Sequence, residues 1–305
     1  MNYIWIYCII FLCITKTILY KKTCINTLFY VRNSLKEYMK ILSLGDVFGK
    51  MWRRALSIEL PKLIKKYSPD IVTANIDNLS SGKWAIEKHV LEMEELGIDV
   101  FFSGDHVYDN MKHIENYLNQ EHSKLLRPAN FYEQVYTPIP WVWARVFEKN
   151  WVRVLFVHLL GEAFMNFNVY SPFLKIDEII WEFKWKYDEL VVDFHVEATA
   201  EFYGLAHFLD WRASFVYGTH THVQTNDDIV LPKWTWAMCD IGMCGALYWV
   251  IGADYDSVKN RFISWVTKWK IEQKLGAEYQ VCGVVYEIKN WKTVWIEKVR
   301  INAQF

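Results

Sequence analysis

The feature that most constrains this 305-residue chain is a rhythm that begins at Met39. Short apolar runs at 41–44, 71–74 and 100–102 alternate with longer amphipathic stretches at 52–67 and 85–96. The short runs read as strands, because they are apolar throughout and bounded by Gly, Pro, Asp or Ser. The longer stretches repeat their apolar residues at helical spacing. Three βα units in succession require a layered α/β fold, since a strand–helix–strand crossover returns the chain parallel to its start. Each of the three strands ends in a polar cluster: Asp46, then Asp77-Asn78, then Asp105-His106. Open α/β sheets place their sites beyond the carboxyl ends of their strands, so these loops are expected to meet.

The second half continues the pattern less regularly. A strand over 152–160 is followed by a helix over 176–187, a strand over 190–193 and then His195. A helix over 198–209 precedes a strand over 214–217, which runs into Gly218-Thr-His-Thr-His-Val223. From extended backbone, His220 and His222 would project to the same side, as a pair of metal ligands does. A short strand near 235–239, a helix near 257–269 and a hairpin of 281–288 with 292–299 close the chain. There is no repeat, low-complexity segment or linker, so residues 39–305 are expected to form a single domain.

Residues 1–38 stand apart. Their apolar stretch is too short and too interrupted for a membrane span, and it lacks the pattern of a signal peptide. They are expected to be an N-terminal extension: upstream sequence, a disordered segment or a membrane anchor. They hold five Lys/Arg against one Glu, a charge of +4, whereas the remaining 29 Lys/Arg against 34 Asp/Glu give −5. A mildly acidic body is not a nucleic-acid clamp, and no stable nucleic-acid complex is expected. The cysteines at 8, 13, 24, 239, 244 and 282 have no framework spacing and read as free thiols in a reducing, cytoplasmic compartment.

The strand-end residues carry the chemistry. Asp46, Asp77, Asn78, Asp105, His106, His195, His220 and His222 form a mixed carboxylate, amide and imidazole set that suits iron, manganese or zinc. Each has a plain structural alternative: Asp46 as a helix cap, Asp77-Asn78 and Gly104-Asp105 as turns, the histidines as satisfied core groups. Those readings are independent of one another, whereas one site with two metal ions accounts for all of them. Two ions about 3.5–4 Å apart need a donor set of this size and suit in-line displacement at phosphorus.

Several blocks resemble the YmdB-like bacterial metallophosphoesterases: Lys40-Ile-Leu-Ser-Leu-Gly-Asp46-Val-Phe-Gly49, Gly104-Asp-His106, Arg127-Pro-Ala-Asn130, Asp193-Phe-His195-Val-Glu-Ala-Thr199, Gly218-Thr-His-Thr-His-Val-Gln-Thr225 and Asp240-Ile-Gly-Met243. The resemblance runs in order from Met39 to about Arg300. It implies a four-layer αββα sandwich of the calcineurin-like metallophosphoesterase type. It also implies two divalent or mixed-valence ions, iron or manganese, and hydrolysis of 2',3'-cyclic nucleotides to 3'-nucleotides. Carried over by position, Asp46, Asp77, Asn78 and His222 would hold the first metal. Asp77 would bridge to a second held by Asp105, His195 and His220, and His106 would give a proton to the leaving oxygen. The implied partner is a small cyclic nucleotide or other phosphodiester; a homo-oligomer is compatible, and a membrane enters only through residues 1–38. A catalytically weakened metal-binding scaffold and a metallophosphoesterase of another substrate class are the alternatives.

The chain departs from the family pattern at two ligand positions. Asp77 stands where the family has Glu, shorter by one methylene or about 1.5 Å. Asp105 stands where it has Asn, which adds a negative charge. Tryptophan is the larger departure, with sixteen Trp beside 13 Gly in the chain. Trp52, Trp84, Trp141, Trp143, Trp151, Trp211 and Trp234 stand where the family pattern has glycine. Three readings follow: a diverged member repacked around the indoles, a decaying gene copy, or a codon for glycine read here as tryptophan.

Overall fold

The computed structural model describes residues 38–80, 84–109, 111–132, 142–248, 250–264 and 276–305. Residues 1–37 and Trp141 lie outside the described residues. In chain order the elements are β1 (Met39–Leu44), β2 (Asp46–Val47), α1 (Gly49–Tyr67), β3 (Ile71–Asn75), α2 (Glu87–Glu95), β4 (Val100–Phe102), α3 (Glu115–Leu118), β5 (Leu125–Leu126), β6 (Ala144–Lys149) and β7 (Val152–Leu160). They continue with α4 (Pro172–Glu182), β8 (Glu189–His195), α5 (Thr199–Phe208), β9 (Phe215–Thr219), β10 (Ile229–Val230), β11 (Trp236–Met238), β12 (Met243–Ala246), α6 (Tyr255–Ser264), β13 (Glu278–Lys289) and β14 (Lys292–Gln304).

Two mixed sheets result. The first runs β2-β12-β13-β1-β3-β4-β5 with β14 paired to β13, and the second runs β10-β11-β9-β8-β7-β6. The three βα units expected from the sequence are present, with β1, β3 and β4 parallel neighbours. In the second sheet β7, β8 and β9 are likewise parallel. One apolar layer draws Ile41, Val100 and Phe102 from the first sheet and Phe156, Val191 and Tyr217 from the second. The outer face of the first sheet packs on α1 and α2 through Leu56, Leu60 and Val90, and that of the second on α4 and α5 through Ile176, Ile179 and Leu205. That is the αββα sandwich. It follows from strands such as β8, buried along its whole length, which need apolar cover on both faces.

The structure moves several boundaries. The helix expected over 176–187 starts at Pro172, whose fixed φ suits the first helical turn, and it ends at Glu182. Trp185, at φ 72, stops any continuation. β8 extends through His195, so that ligand candidate closes the strand instead of following it. β9 likewise runs on through Gly218 and Thr219.

Candidate metal centre

The carboxyl ends of strands from both sheets deliver the site. Asp46 follows β1, Asp77 and Asn78 follow β3, Asp105 and His106 follow β4, His195 ends β8, and His220 and His222 follow β9. Contacts between the sheets close the arrangement. Asp46 Oδ2 accepts the His220 backbone N–H at 3.0 Å. Asp105 Oδ1 lies 3.5 Å from His195 Nε2, and His195 Nε2 lies 3.1 Å from His220 Nδ1. His222 Nε2 and Asp46 Oδ1 are 3.9 Å apart. All eight residues singled out in the sequence therefore sit in or beside one pocket.

Two groups of donor atoms are tight enough to hold an ion. Asp105, His195 and His220 offer ligand atoms within 4.8 Å of one another, and so do Asp77, Asp105 and His106. Asp105 is common to both groups. Asp77 Oδ1 accepts the His106 backbone N–H at 2.8 Å, and its Oδ2 accepts Asn78 Nδ2 at 2.8 Å. His106 Nε2 lies 4.0 Å from Asp77 and 3.9 Å from Asp105, while its Nδ1 is 2.8 Å from Asp109 Oδ2. The His106 side chain is 31% exposed and that of His220 27%, which sets these two imidazoles on the open side of a cluster whose other members are buried.

The turn that carries Asp105 and His106 depends on Gly104. Its φ is +61, and a Cβ there would lie 2.2 Å from Asp77 Oδ1. Only glycine combines that backbone with that approach.

One expectation is corrected. His220 and His222 do not project alike from extended backbone, because their φ values are 104 and 65. The loop leaves β9 in a turn held by Asp240, whose Oδ2 accepts both the N–H and the hydroxyl of Thr221 at 2.9 and 2.7 Å. The two imidazoles are thereby splayed, His220 toward His195 and Asp105, His222 toward Asp46.

The electrostatics suit a cation. Burial, and then the charge of Asp240, pushes Asp46 well above the ordinary carboxylate range. Burial, and then the charge of Asp105, does the same to Asp77. Burial would raise Asp105 too, but the His195 ring beside it and the other surrounding imidazoles outweigh that and hold it low. Burial lowers His195 to about 3 and His222 to about 4, so both rings are unprotonated at neutral pH and keep a lone pair for a metal. The buried Oδ1 atoms of Asp46 and Asp105 have no hydrogen-bond donor. Buried carboxylate oxygens without a donor are expensive unless a cation neutralises them. The residues present therefore fit metal ions.

A family model described as YmdB-like protein matches residues 42–299. The chain belongs to the YmdB-like family. It is 34% identical over 267 residues to the 2',3'-cyclic-nucleotide 2'-phosphodiesterase of Bacillus subtilis, spanning 87% of this chain and 97% of that protein. It superposes on the crystal structure of a novel phosphatase from Mycoplasma pneumoniae with a TM-score of 0.81 at 28% identity, covering 88% of this chain and 95% of the other. The NAD nucleotidase of Haemophilus influenzae shares the fold alone, with a TM-score of 0.56 at 10% identity over 88% of this chain and 51% of its own. This YmdB-like chain is thus a phosphoric ester hydrolase of calcineurin-like fold, with Asp and His clusters that suit two metal ions.

Sequence reasoning gave no role to the residues that support the site. Asn75 donates from Nδ2 to Thr219 Oγ1 at 3.1 Å and lies 3.3 Å from His195 Nδ1. Thr219 Oγ1 donates to Asp193 Oδ1 at 3.1 Å. Asp193 and Thr219 lie inside the family blocks, but their spacing says nothing of whom they touch. His158 was passed over; its one signal was a lone imidazole inside the apolar run of β7.

Proposed function

We propose that this protein is a dinuclear-metal phosphodiesterase that hydrolyses 2',3'-cyclic nucleotides to 3'-nucleotides in the cytoplasm. The observation that carries the reading is the convergence of the buried Asp46, Asp77, Asp105, His195 and His222 with the partly exposed His220 in one cluster, with His106 at its edge. The substrate class rests on the likeness to the Bacillus subtilis phosphodiesterase. Asp46, Asp77, Asn78 and His222 would hold one ion and Asp105, His195 and His220 the other, with Asp77 between them. Iron or manganese fits these oxygen and nitrogen donors. Bound divalent ions supply charge neutralisation at the phosphodiester and a lower pKa for an attacking water.

The chain's own groups do the rest. Asp109 accepts the Nδ1 proton of His106 and so fixes the ring; in the doubly protonated imidazolium, Nε2, which lies beside Asp77 and Asp105, carries the second proton and gives it to the departing ribose oxygen, leaving the neutral ring still bonded to Asp109. Asp77 holds the same residue by its backbone N–H. Asp46 holds the His220 amide, Asp240 holds Thr221, and His222 Nδ1 lies 2.8 Å from the Ile251 carbonyl oxygen, so both imidazoles are set before substrate arrives.

The test is metal content together with turnover of 2',3'-cyclic AMP by the purified full chain. About two ions per chain and release of 3'-AMP are expected, with turnover lost in His106→Ala while the metal stays. A folded, metal-loaded protein that leaves 2',3'-cyclic AMP intact would overturn the reading.

A further inference from the structure

We propose that His158 is a positioning residue for His106, an inference that rests on the reading of His106 as proton donor. His158 is fully buried in β7, in the second sheet, whereas His106 follows β4 in the first. Its Nε2 accepts the backbone N–H of Gly104 at 3.0 Å. A ring nitrogen that accepts an N–H carries no proton of its own, so the neutral ring bears its hydrogen on Nδ1. That nitrogen lies 2.8 Å from Asp193 Oδ1. Asp193 Oδ1 also accepts the hydroxyl of Thr219, whose Oγ1 is 3.0 Å from His195 Nδ1. A continuous chain of contacts thus links His195 to the amide that opens the Gly104-Asp105-His106 turn.

The turn has two anchors. Asp77 holds the His106 amide, and His158 holds the Gly104 amide from the opposite sheet. Gly104 has no side chain with which to fix itself. Without the His158 acceptor, its left-handed backbone is restrained from one side only, and the ring of His106 loses its fixed distance to the leaving oxygen. His158 belongs to neither group of clustered donor atoms, so its effect on catalysis passes through position.

The experiment compares two substrates. Cyclic AMP with a 2',3' ring needs its leaving alkoxide protonated, whereas a p-nitrophenyl phosphodiester does not. In His158→Leu, kcat on 2',3'-cyclic AMP is expected to fall about 10–100-fold, with a loss under about threefold on the p-nitrophenyl ester. His158→Gln, whose amide oxygen can accept the same N–H, should restore most of the difference. Equal losses on both substrates, or none, would overturn the inference. His106→Ala run in parallel separates the two readings: if it shows no leaving-group dependence, the proton-donor role fails; if it does and His158→Leu does not, only the positioning role fails. Nitrogen NMR of the unaltered protein decides independently of folding in any variant. His158 should show a bare Nε2 and a protonated Nδ1, and the reverse tautomer would refute the contact.

A separate observation carries a second inference. Among the described residues, twelve non-glycine residues have positive φ, and five of them are Trp: 151, 185, 211, 234 and 291. Asn150-Trp151 and Asn290-Trp291 are the two-residue turns of the β6–β7 and β13–β14 hairpins, with φ of 53 and 65 and of 52 and 67. Such a turn needs positive φ at both positions, which makes Asn-Gly its favoured sequence. Trp234 closes a turn on Leu231 after Pro232, and Trp211 follows the end of α5; both are places where chains use glycine. We infer that these positions are glycine in the polypeptide its own cell makes, through a codon decoded there as glycine. Three of the seven tryptophans marked in the sequence, 151, 211 and 234, are in this group, while 52, 84 and 143 have ordinary backbone. Mass spectrometry of peptides spanning Trp151, Trp211 and Trp291 from the protein isolated from its source organism is the test. Peptides lighter by the tryptophan–glycine difference are expected, and tryptophan at these sites would overturn the inference.

Discussion

Replacing Trp151 and Trp211 by glycine in the chain as written should raise its stability. Trp151 sits at φ 65 and Trp211 at φ 78, in backbone that a side chain with a Cβ occupies at a penalty of about 1–2 kcal/mol. Both indoles are exposed, at 65% and 62% of their surface, so removing them gives up little buried area. Glycine's extra freedom in the unfolded chain offsets about 0.4–1 kcal/mol at each site. The net gain is about 0.5–1 kcal/mol per site. The two turns lie on different elements, so the gains should add to about 1–2 kcal/mol. At roughly 2–4 °C per kcal/mol for a domain of this class, Tm should rise by about 2–8 °C. Differential scanning calorimetry of the single and double variants measures it. Trp236→Gly is the control of opposite sign, since Trp236 lies within β11 on ordinary strand backbone, where glycine weakens the strand. A double variant that melts at or below the parent would refute the argument from backbone strain.

Other outcomes follow from the same geometry. Burial raises Glu189 to about 7 despite hydrogen bonds from Ser214 and Trp291. A carboxyl raised on folding binds more protons folded than unfolded, so stability should decline as pH climbs from about 4.5 to 7 and stay level above. Glu189→Gln should flatten that decline and gain about 2–4 kcal/mol at pH 8 in urea melts, less whatever its hydrogen bonds give up. His106→Ala should cut kcat on 2',3'-cyclic AMP by about 10²–10⁴ with metal content unchanged. Gly104→Ala should abolish turnover and weaken metal retention, because its Cβ would meet Asp77 at 2.2 Å. Chelation should lower Tm by removing a ligand that binds the folded state alone, and added manganese should restore it.

Much of this was legible in the sequence, for identifiable reasons. The βα rhythm fixed the parallel core of β1, β3 and β4, because short apolar runs bounded by turns have few other solutions. The strand-end positions of Asp46, Asp77 and Asp105 then placed them at one rim. The histidine pair lies beside the other clustered donors, but not on the extended backbone expected of it. Periodicity carries no sign of the Asp240 contact that turns the loop at Thr221. Support from the opposite sheet, as with His158 and Gly104, was invisible because the residues are 54 positions apart and only the face-to-face packing of the sheets joins them. Trp185 and Trp291 escaped notice for a similar reason: the strain at each is a backbone angle, which composition does not show.

The central claim is that two ions occupy this pocket between the two sheets. An anomalous-scattering map from crystals of the manganese-loaded protein tests it most directly. Two peaks about 3.5–4 Å apart are predicted, one against Asp46, Asn78 and His222, the other against Asp105, His195 and His220, with Asp77 between them. A single peak, or peaks that do not touch these side chains, would contradict it.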